Sequence, residues 1–283
     1  MPELPEAETI AGELRKGLPG RKLRRVDVIH ADILRSGIEA FAPALVGRRI
    51  EDVGRRGKNV VVTFDGDLVL VVNLGMSGRL LLREQGAAGA DPTHPAVVFH
   101  LSDGGRLVYH DPRRFGALEL RSPRSYRRWS QSLGPEPLSA SFSARRLAEA
   151  VGRSRSPIRS CLLDQARIAG VGNIYANEAL HRAKIHPARP ARELDGAEFR
   201  RLHRALRKVL REALSARGTT LRDYRTSEGA EGSFSVRLRV YGQENRPCPS
   251  CREPVERIVF GHRSAFLCPR CQPELRTVEH SDD

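Results

Sequence analysis

No stretch of the 283-residue chain approaches the ~18 consecutive apolar residues that a membrane span requires, so no bilayer partner is expected. A secretory leader is missing too: the N-terminus is acidic and helix-like, with no basic start and no apolar centre, which makes the cytoplasm the expected location. Aromatic residues amount to only 5%, which argues against a broad stacking platform for single strands. Lysine is scarce, with Lys16, Lys22, Lys58, Lys184 and Lys208 the only five among 48 basic residues. A compositional preference explains choosing arginine over lysine, but not 48 bases against 34 acids, a net charge of +14. That excess fits a polyanionic partner, and nucleic acid is the commonest one. The length exceeds one ordinary core and suits two domains plus a small module.

What is present begins at Met1-Pro2-Glu3-Leu4-Pro5-Glu6. Trimming Met1 would leave Pro2 as a secondary-amine terminus, and α-amino groups titrate near ~8, so a useful fraction is unprotonated at neutral pH. Such an amine can attack a sugar C1′ and form an iminium. Residues 4 to 17 (LPEAETIAGELRKG) predict a helix, with acids in the first turn, Lys16 in the last and Gly17 as its stop. The positive end of the helix dipole disfavours the protonated amine. Glu3 adjoins the amine and Glu6 lies about one turn on, so two carboxylates are at hand to move protons. Proline and glutamate at a helix start are equally ordinary capping chemistry, and this stretch alone leaves both roles open.

Residues 20 to 121 contain short β-type runs (KLRRVDVIH, NVVVTF, LVLVVNL, RLLL, AVVFHL, RLVYH, ALEL) separated by turn signals, a pattern that predicts an antiparallel sandwich or barrel. Residues 84 to 95 (EQGAAGADPTHP) read as a mobile loop. From about 123 the pattern turns helical: SYRRWSQSL, SARRLAEAV, PIRSCLLDQA, NIYANEALHRA and AEFRRLHRALRKVLREALSA. Residues 217 to 236 are polar and glycine-containing and read as a flexible loop.

Cys248-x-x-Cys251 and Cys268-x-x-Cys271, sixteen residues apart, have the spacing of a tetrahedral zinc site, with Cys161 far away in sequence. The two apolar runs between them predict a β-hairpin with Arg263 just past its tip, where it can reach a phosphate. Residues 170 to 178 (GVGNIYANE) run from a glycine-rich turn into a helix, whose free N–H groups suit a phosphate, with Asn173 expected at the cap. Leu74-Gly75-Met76-Ser77-Gly78 and Asp111-Pro112-Arg113-Arg114-Phe115-Gly116 each place large side chains on a turn. Such residues serve as wedges in proteins that extrude a base, though each alone is as compatible with core packing.

PELPEAE, RRGKNVVV, LGMSG, DPRRFG, LGPEPLS, AGVGNIYANEAL, GTTLRDY and the four-cysteine finger follow one another along nearly the whole chain. Together they resemble the bacterial formamidopyrimidine-DNA glycosylases, base-excision repair enzymes that remove 8-oxoguanine and ring-opened purines. PELPE, rather than PEGPE, sets the chain apart from the related endonuclease VIII, which acts on oxidised pyrimidines. The resemblance implies an α+β fold: an N-terminal catalytic helix with an antiparallel β-sandwich (1–122), a helix–two-turn–helix domain with a lesion-capping loop (123–238), a zinc β-hairpin finger (239–273) and a tail (274–283).

It further implies a bifunctional glycosylase and abasic-site lyase working by Schiff base and β,δ-elimination. Pro2 would be the nucleophile, Glu3 the proton shuttle, Glu6 an ordering group, Lys58 a helper in β-elimination and Arg263 the residue associated with δ-elimination. Met76, Arg113 and Phe115 would fill the gap left by the extruded nucleotide, with His94, Arg155, Asn173 and Tyr241 as DNA contacts. Thr219, Thr220, Arg222 and Tyr224 fall in the capping loop, and the four cysteines would hold one structural Zn²⁺. The implied partner is damaged double-stranded DNA, met by a monomer at the bacterial nucleoid. Asn73 stands where the family usually has histidine, and Arg155 and Arg159 replace common lysines; these departures bear on lesion preference. Two rival readings are carried: a glycosylase for oxidised pyrimidines, and a zinc-ribbon DNA binder that does not cut.

Overall fold

A helix starts where proline and acids meet an apolar stripe, and α1 (Leu4–Gly17) does so with Glu3 as N-cap. Its stripe of Ile10, Ala11 and Leu14 is buried in one core with Leu18 and residues of two four-stranded sheets. The computed structural model describes residues 2–35, 37–86, 94–221, 224–260 and 263–274. The predicted loop tip at 87–93, Arg222, Gly261 and the tail beyond Glu274 therefore lie outside the described residues.

The strands are β1 (Leu23–Val28), β2 (Ile50–Arg56), β3 (Asn59–Phe64), β4 (Leu68–Asn73), β5 (Arg79–Arg83), β6 (Pro95–Leu101), β7 (Arg106–His110) and β8 (Ala117–Arg121). One sheet runs β1-β6-β7-β5 and the other β2-β3-β4-β8, with every neighbouring pair antiparallel. Alternation decides which face is which. Val60, Val62 and Phe64 of β3 enter the shared core, while Val61 points to the opposite face with Val69 and Val71. That outer face is covered by Tyr126 and Trp129 of α3 (Pro123–Ser132). The predicted sandwich is thus the observed architecture.

A 3-10 turn (Ala31–Ile33), a helix and a strand lie in the stretch between the first two β-type runs. The helix α2 (Ile38–Leu45) carries Pro43 inside it, and its Phe41 and Leu45 are fully buried. In β2 the alternation is blurred by Gly54 and the flanking charges, leaving Ile50 and Val53 as its core residues.

The remaining elements are α4 (Ala144–Val151), α5 (Ile158–Leu163), α6 (Asn173–Ala183), α7 (Gly196–Ser215) and a finger of β9 (Glu256–Phe260) and β10 (Arg263–Leu267). Contacts divide the chain into two compact units, one of residues 1–133 with 211–236, the other of 134–210 with 237–283. Among the described residues no helix is long and apolar enough to cross a membrane.

Candidate active site and nucleic-acid interface

In the first unit, Pro2 is buried at the start of α1, and Glu3 and Glu6 are each only 1% exposed. The Glu6 carboxylate is held at both oxygens. One accepts the Glu3 N–H at 2.8 Å, and the other accepts the Thr219 N–H at 2.7 Å. Glycine is required just before that contact. Gly218 has φ +88°, and a Cβ there would come within 2.9 Å of Glu6 Oε1. Sequence reading expects residues 217 to 236 to be flexible, but the structure pins the described part of this segment by several hydrogen bonds, the Thr219 one buried. Tyr224 donates its hydroxyl to the Arg217 carbonyl and packs into the sandwich core. Burial, with Glu6 nearby, raises its phenol well above the usual range. Thr220 Oγ donates to the Tyr224 carbonyl and accepts the Gly232 N–H. Glu13 accepts from Arg217 and from both the N–H and the hydroxyl of Ser227. Leu221, by contrast, is exposed.

Lys58 sits in the two-residue turn between β2 and β3, where Arg56 pairs with Asn59 and Gly57 takes φ +60°. A positive φ at the first of two loop residues suits the strand twist. Arg55 ties this turn to α1: its Nε donates to Glu8 at 2.7 Å, and another guanidinium nitrogen donates to the Gly57 carbonyl at 2.8 Å. Arg55 stands in the quoted motif, but its linking role needs the third dimension to be seen.

Met76 and Phe115 are 40% and 57% exposed, and the Arg113 guanidinium stacks on the Phe115 ring at 4.7 Å. Their two turns meet backbone to backbone: a Cβ on Gly75 would lie 2.5 Å from Gly116 N. Asp111, 1% exposed, locks them together, accepting the Ser77 hydroxyl at 2.6 Å, the Gly116 N–H at 2.8 Å and the Tyr109 hydroxyl at 3.3 Å. The sequence shows Asp111-Pro112 only as a turn signal. Asn73, the departure noted above, spans the same region: its amide N–H donates to Asn59 and its oxygen accepts the Gly75 N–H. The side chain thereby opens the Met76 turn. His94 is exposed, with its ring 6.1 Å from that of buried His110. Burial, then the charges of Arg79 and His94, lowers the His110 pKa.

In the second unit, α6 bolts the finger in place along its length. Asn173 is not the cap, as expected, but the first helical residue after Gly172. Its side chain is instead engaged by the finger: Asn173 donates to the Ser264 carbonyl at 3.1 Å, and Arg159 donates to both Asn173 and Ser264, at 2.6 and 2.9 Å. One turn on, Asn177 accepts the Phe266 N–H. Glu178, fully buried, accepts the N–H groups of Arg239, Val240 and Tyr241 at 3.0–3.1 Å, which fixes Tyr241 against Phe266. Burial raises the Glu178 pKa against those three donors. At the far end, the His181 ring nitrogen Nε2 lies 3.4 Å from Cys248 Sγ. Burial, with Arg239 and Arg182 beside it, lowers His181 to about 4, so the imidazole is neutral. Arg263 begins β10 opposite Phe260 and is exposed. Its charge, after burial, lowers the Arg159 pKa. Arg155 is exposed in the segment before α5.

The sulfur atoms of Cys248, Cys251, Cys268 and Cys271 lie within 4.8 Å of one another, and none is in a disulfide. Sulfurs bonded tetrahedrally to zinc at about 2.3 Å stand about 3.8 Å apart, and observed separations of 3.4, 3.5 and 4.0 Å fit. The N–H groups of Ser250 and Cys271 donate to Cys248 and Cys268 sulfurs, as thiolate ligands require. Four such ligands suit one structural Zn²⁺ and leave no open position for catalysis.

Three family descriptions match the chain: the formamidopyrimidine-DNA glycosylase N-terminal domain over 1–118, the H2TH domain of the same enzymes over 133–225, and a zinc finger found in FPG and IleRS over 246–273. A formamidopyrimidine-DNA glycosylase of Chloroflexus aurantiacus is 41% identical over 280 residues, covering 99% of this chain and all of the relative. Among solved structures, a mutant Lactococcus lactis FPG in complex with DNA containing Fapy-dG superposes with TM-score 0.89 at 31% identity, over 96% of this chain and all of that one. The wild-type Lactococcus lactis protein bound to DNA with an oxidised pyrimidine gives TM-score 0.87 at 30% identity, with the same coverage.

Proposed function

This chain belongs to the formamidopyrimidine-DNA glycosylase family, and from that premise we propose that it excises oxidised purines from duplex DNA and then nicks the strand at the abasic site. The observation that carries this reading is the helix start itself, where buried Glu3 and Glu6 follow Pro2 and Glu6 is fixed at both oxygens. With Met1 removed, the Pro2 nitrogen attacks C1′ and loses its proton, and the base leaves with a proton supplied through Glu3; the C1′–O4′ bond then breaks, O4′ takes a proton and an iminium remains. Loss of a C2′ proton then expels the 3′ phosphate, a step in which the Lys58 amine assists. Arg263 holds a phosphate for the second elimination, which expels the 5′ phosphate. Glu6 donates no proton in this scheme; its bonds hold Glu3 and Thr219 in register.

A base must leave the stack before its glycosidic bond is reached, at a cost of a few kcal/mol. Met76, Arg113 and Phe115 offset that cost by filling the vacated space, and Arg113 meets the orphaned base, cytosine in the preferred pairing. His94, Arg155, Asn173 and Tyr241 contact the backbone, and Thr219, Thr220, Arg222 and Tyr224 belong to the capping loop. The protein works as a monomer at the nucleoid, with zinc holding the finger. Its functional segments run 1–122, 123–238 and 239–273. Activity on oxidised pyrimidines is a second reading, favoured by the complex of the Lactococcus lactis relative with such DNA.

Borohydride trapping is the test. The processed wild type should become covalently fixed to 8-oxoguanine:C duplex, Pro2→Gly should trap poorly, and protein shown by mass spectrometry to retain Met1 should not trap. A processed preparation that never cross-links leaves only a non-cutting zinc-ribbon binder. Parallel cleavage of thymine-glycol duplex decides the substrate, because much faster cleavage there would replace the purine reading.

A further inference from the structure

A cavity of about 530 Å³ in the second unit is lined by Arg182 and Lys184 from the end of α6, Arg201, Arg204 and Lys208 from α7, and Arg239. No carboxylate is among its lining residues. Its volume falls in the range of small-ligand sites. The cavity lies at the opposite end of α6 from Asn173, roughly 16 Å away at 1.5 Å per residue. It is therefore separate from the phosphate contact proposed there.

Helix capping accounts for part of this charge. Lys184 is the left-handed C-cap of α6 at φ +57°, and cations in a last turn complement the helix dipole. That does not explain α7. Arg201, Arg204 and Lys208 follow at spacings of three and four, so like charges stack down one helix face, which costs stability in the absence of a counter-charge. Two acids of these helices, Glu178 and Glu198, are committed elsewhere. Glu198 reaches Arg201 at 3.6 Å but binds Arg189 at 2.5 Å, and Glu178 is buried against three backbone N–H groups. Among the described residues, no carboxylate pairs with Lys184, Arg204, Lys208 or the Arg239 side chain.

We infer that this cavity is a second anion site, built for a ligand with several phosphate groups, and that α6, α7 and the base of the finger close around it. The glycosylase reading does not depend on it. Two sources offer that chemistry: a free polyphosphate, or the backbone of a nucleic-acid strand outside the lesion site.

The experiment compares the full-length, zinc-loaded protein with two double variants, Arg204→Gln/Lys208→Gln and Arg204→Glu/Lys208→Glu. Both changes sit on exposed positions, and zinc content with the far-ultraviolet circular dichroism spectrum verifies that each variant folds. Binding of sodium tripolyphosphate is measured by calorimetry, and binding of an undamaged duplex is measured across a salt series. A polyphosphate site predicts graded loss of tripolyphosphate affinity, at least tenfold for the glutamate pair, with the duplex salt slope unchanged. A backbone site predicts that the duplex slope becomes shallower by about two, the two cations removed. Wild-type values for both ligands in both variants overturn the inference, as does loss without gradation between the glutamine and glutamate pairs.

Discussion

At the scale of single residues, Asp111, Glu6 and Glu178 are buried carboxylates that accept from backbone N–H groups and, for Asp111, from hydroxyls. Asp111 is the clearest, since it joins the two turns that carry Met76 and Phe115. Asp111→Asn removes an acceptor from buried donors and should cost about 2 kcal/mol. In a chain this size that lowers the melting temperature by several degrees. Lesion extrusion, followed by stopped-flow fluorescence of 2-aminopurine, should slow, while trapping on a preformed abasic site should persist. Equal extrusion rates would show that the turns keep their geometry without it. His110 gives a pH signature. Its folded pKa is lowered, so below the ordinary ~6.5 the unfolded chain takes up the proton first and stability falls on acidification. His110→Asn should shrink the drop in melting temperature between pH 7 and pH 5, measured by calorimetry. A drop as large as in the wild type would assign it to other groups. Asp111 and His110 both look ordinary in the sequence, a turn aspartate and a strand histidine, because burial and partners are invisible there.

At the scale of elements, α6 decides where the finger residues go. Asn173, Asn177, Glu178 and His181 line up along it and each bonds a different part of the segment from 239 to 266. The helix is plain in the sequence, but the purpose of its polar face is not. Zinc should hold the two strands while α6 holds their base. Chelation, or Cys268→Ser, should therefore raise amide exchange in β9 and β10 and weaken duplex binding, with the sandwich strands keeping their protection. Loss of protection in β3 and β4 as well would mean that the finger and the sandwich unfold together. The elements that escape the pattern reading do so for physical reasons. The helix α2 holds a proline, Pro43, a residue that disfavours helix interiors, and Gly54 with the charges of β2 hides its two core residues.

For the whole molecule, a charge of +14 on 283 residues implies binding dominated by phosphate contacts. The duplex dissociation constant, measured across a salt series, should rise with a log–log slope of about 4, as expected for four to five neutralised phosphates. A slope near zero would leave the charge without its partner. Ordered motifs, charge, the cysteine pairs and strand alternation are local properties, so the sequence by itself determined the family, the sandwich, the zinc ligands and the candidate nucleophile. Tertiary structure alone decided that Glu6 reaches Thr219, that Arg55 links the Lys58 turn to α1, that Asp111 clasps the two turns, and that six cations gather around one cavity. Each of these joins residues far apart in the chain, and no pattern of neighbours along a sequence encodes which distant donor an acceptor meets.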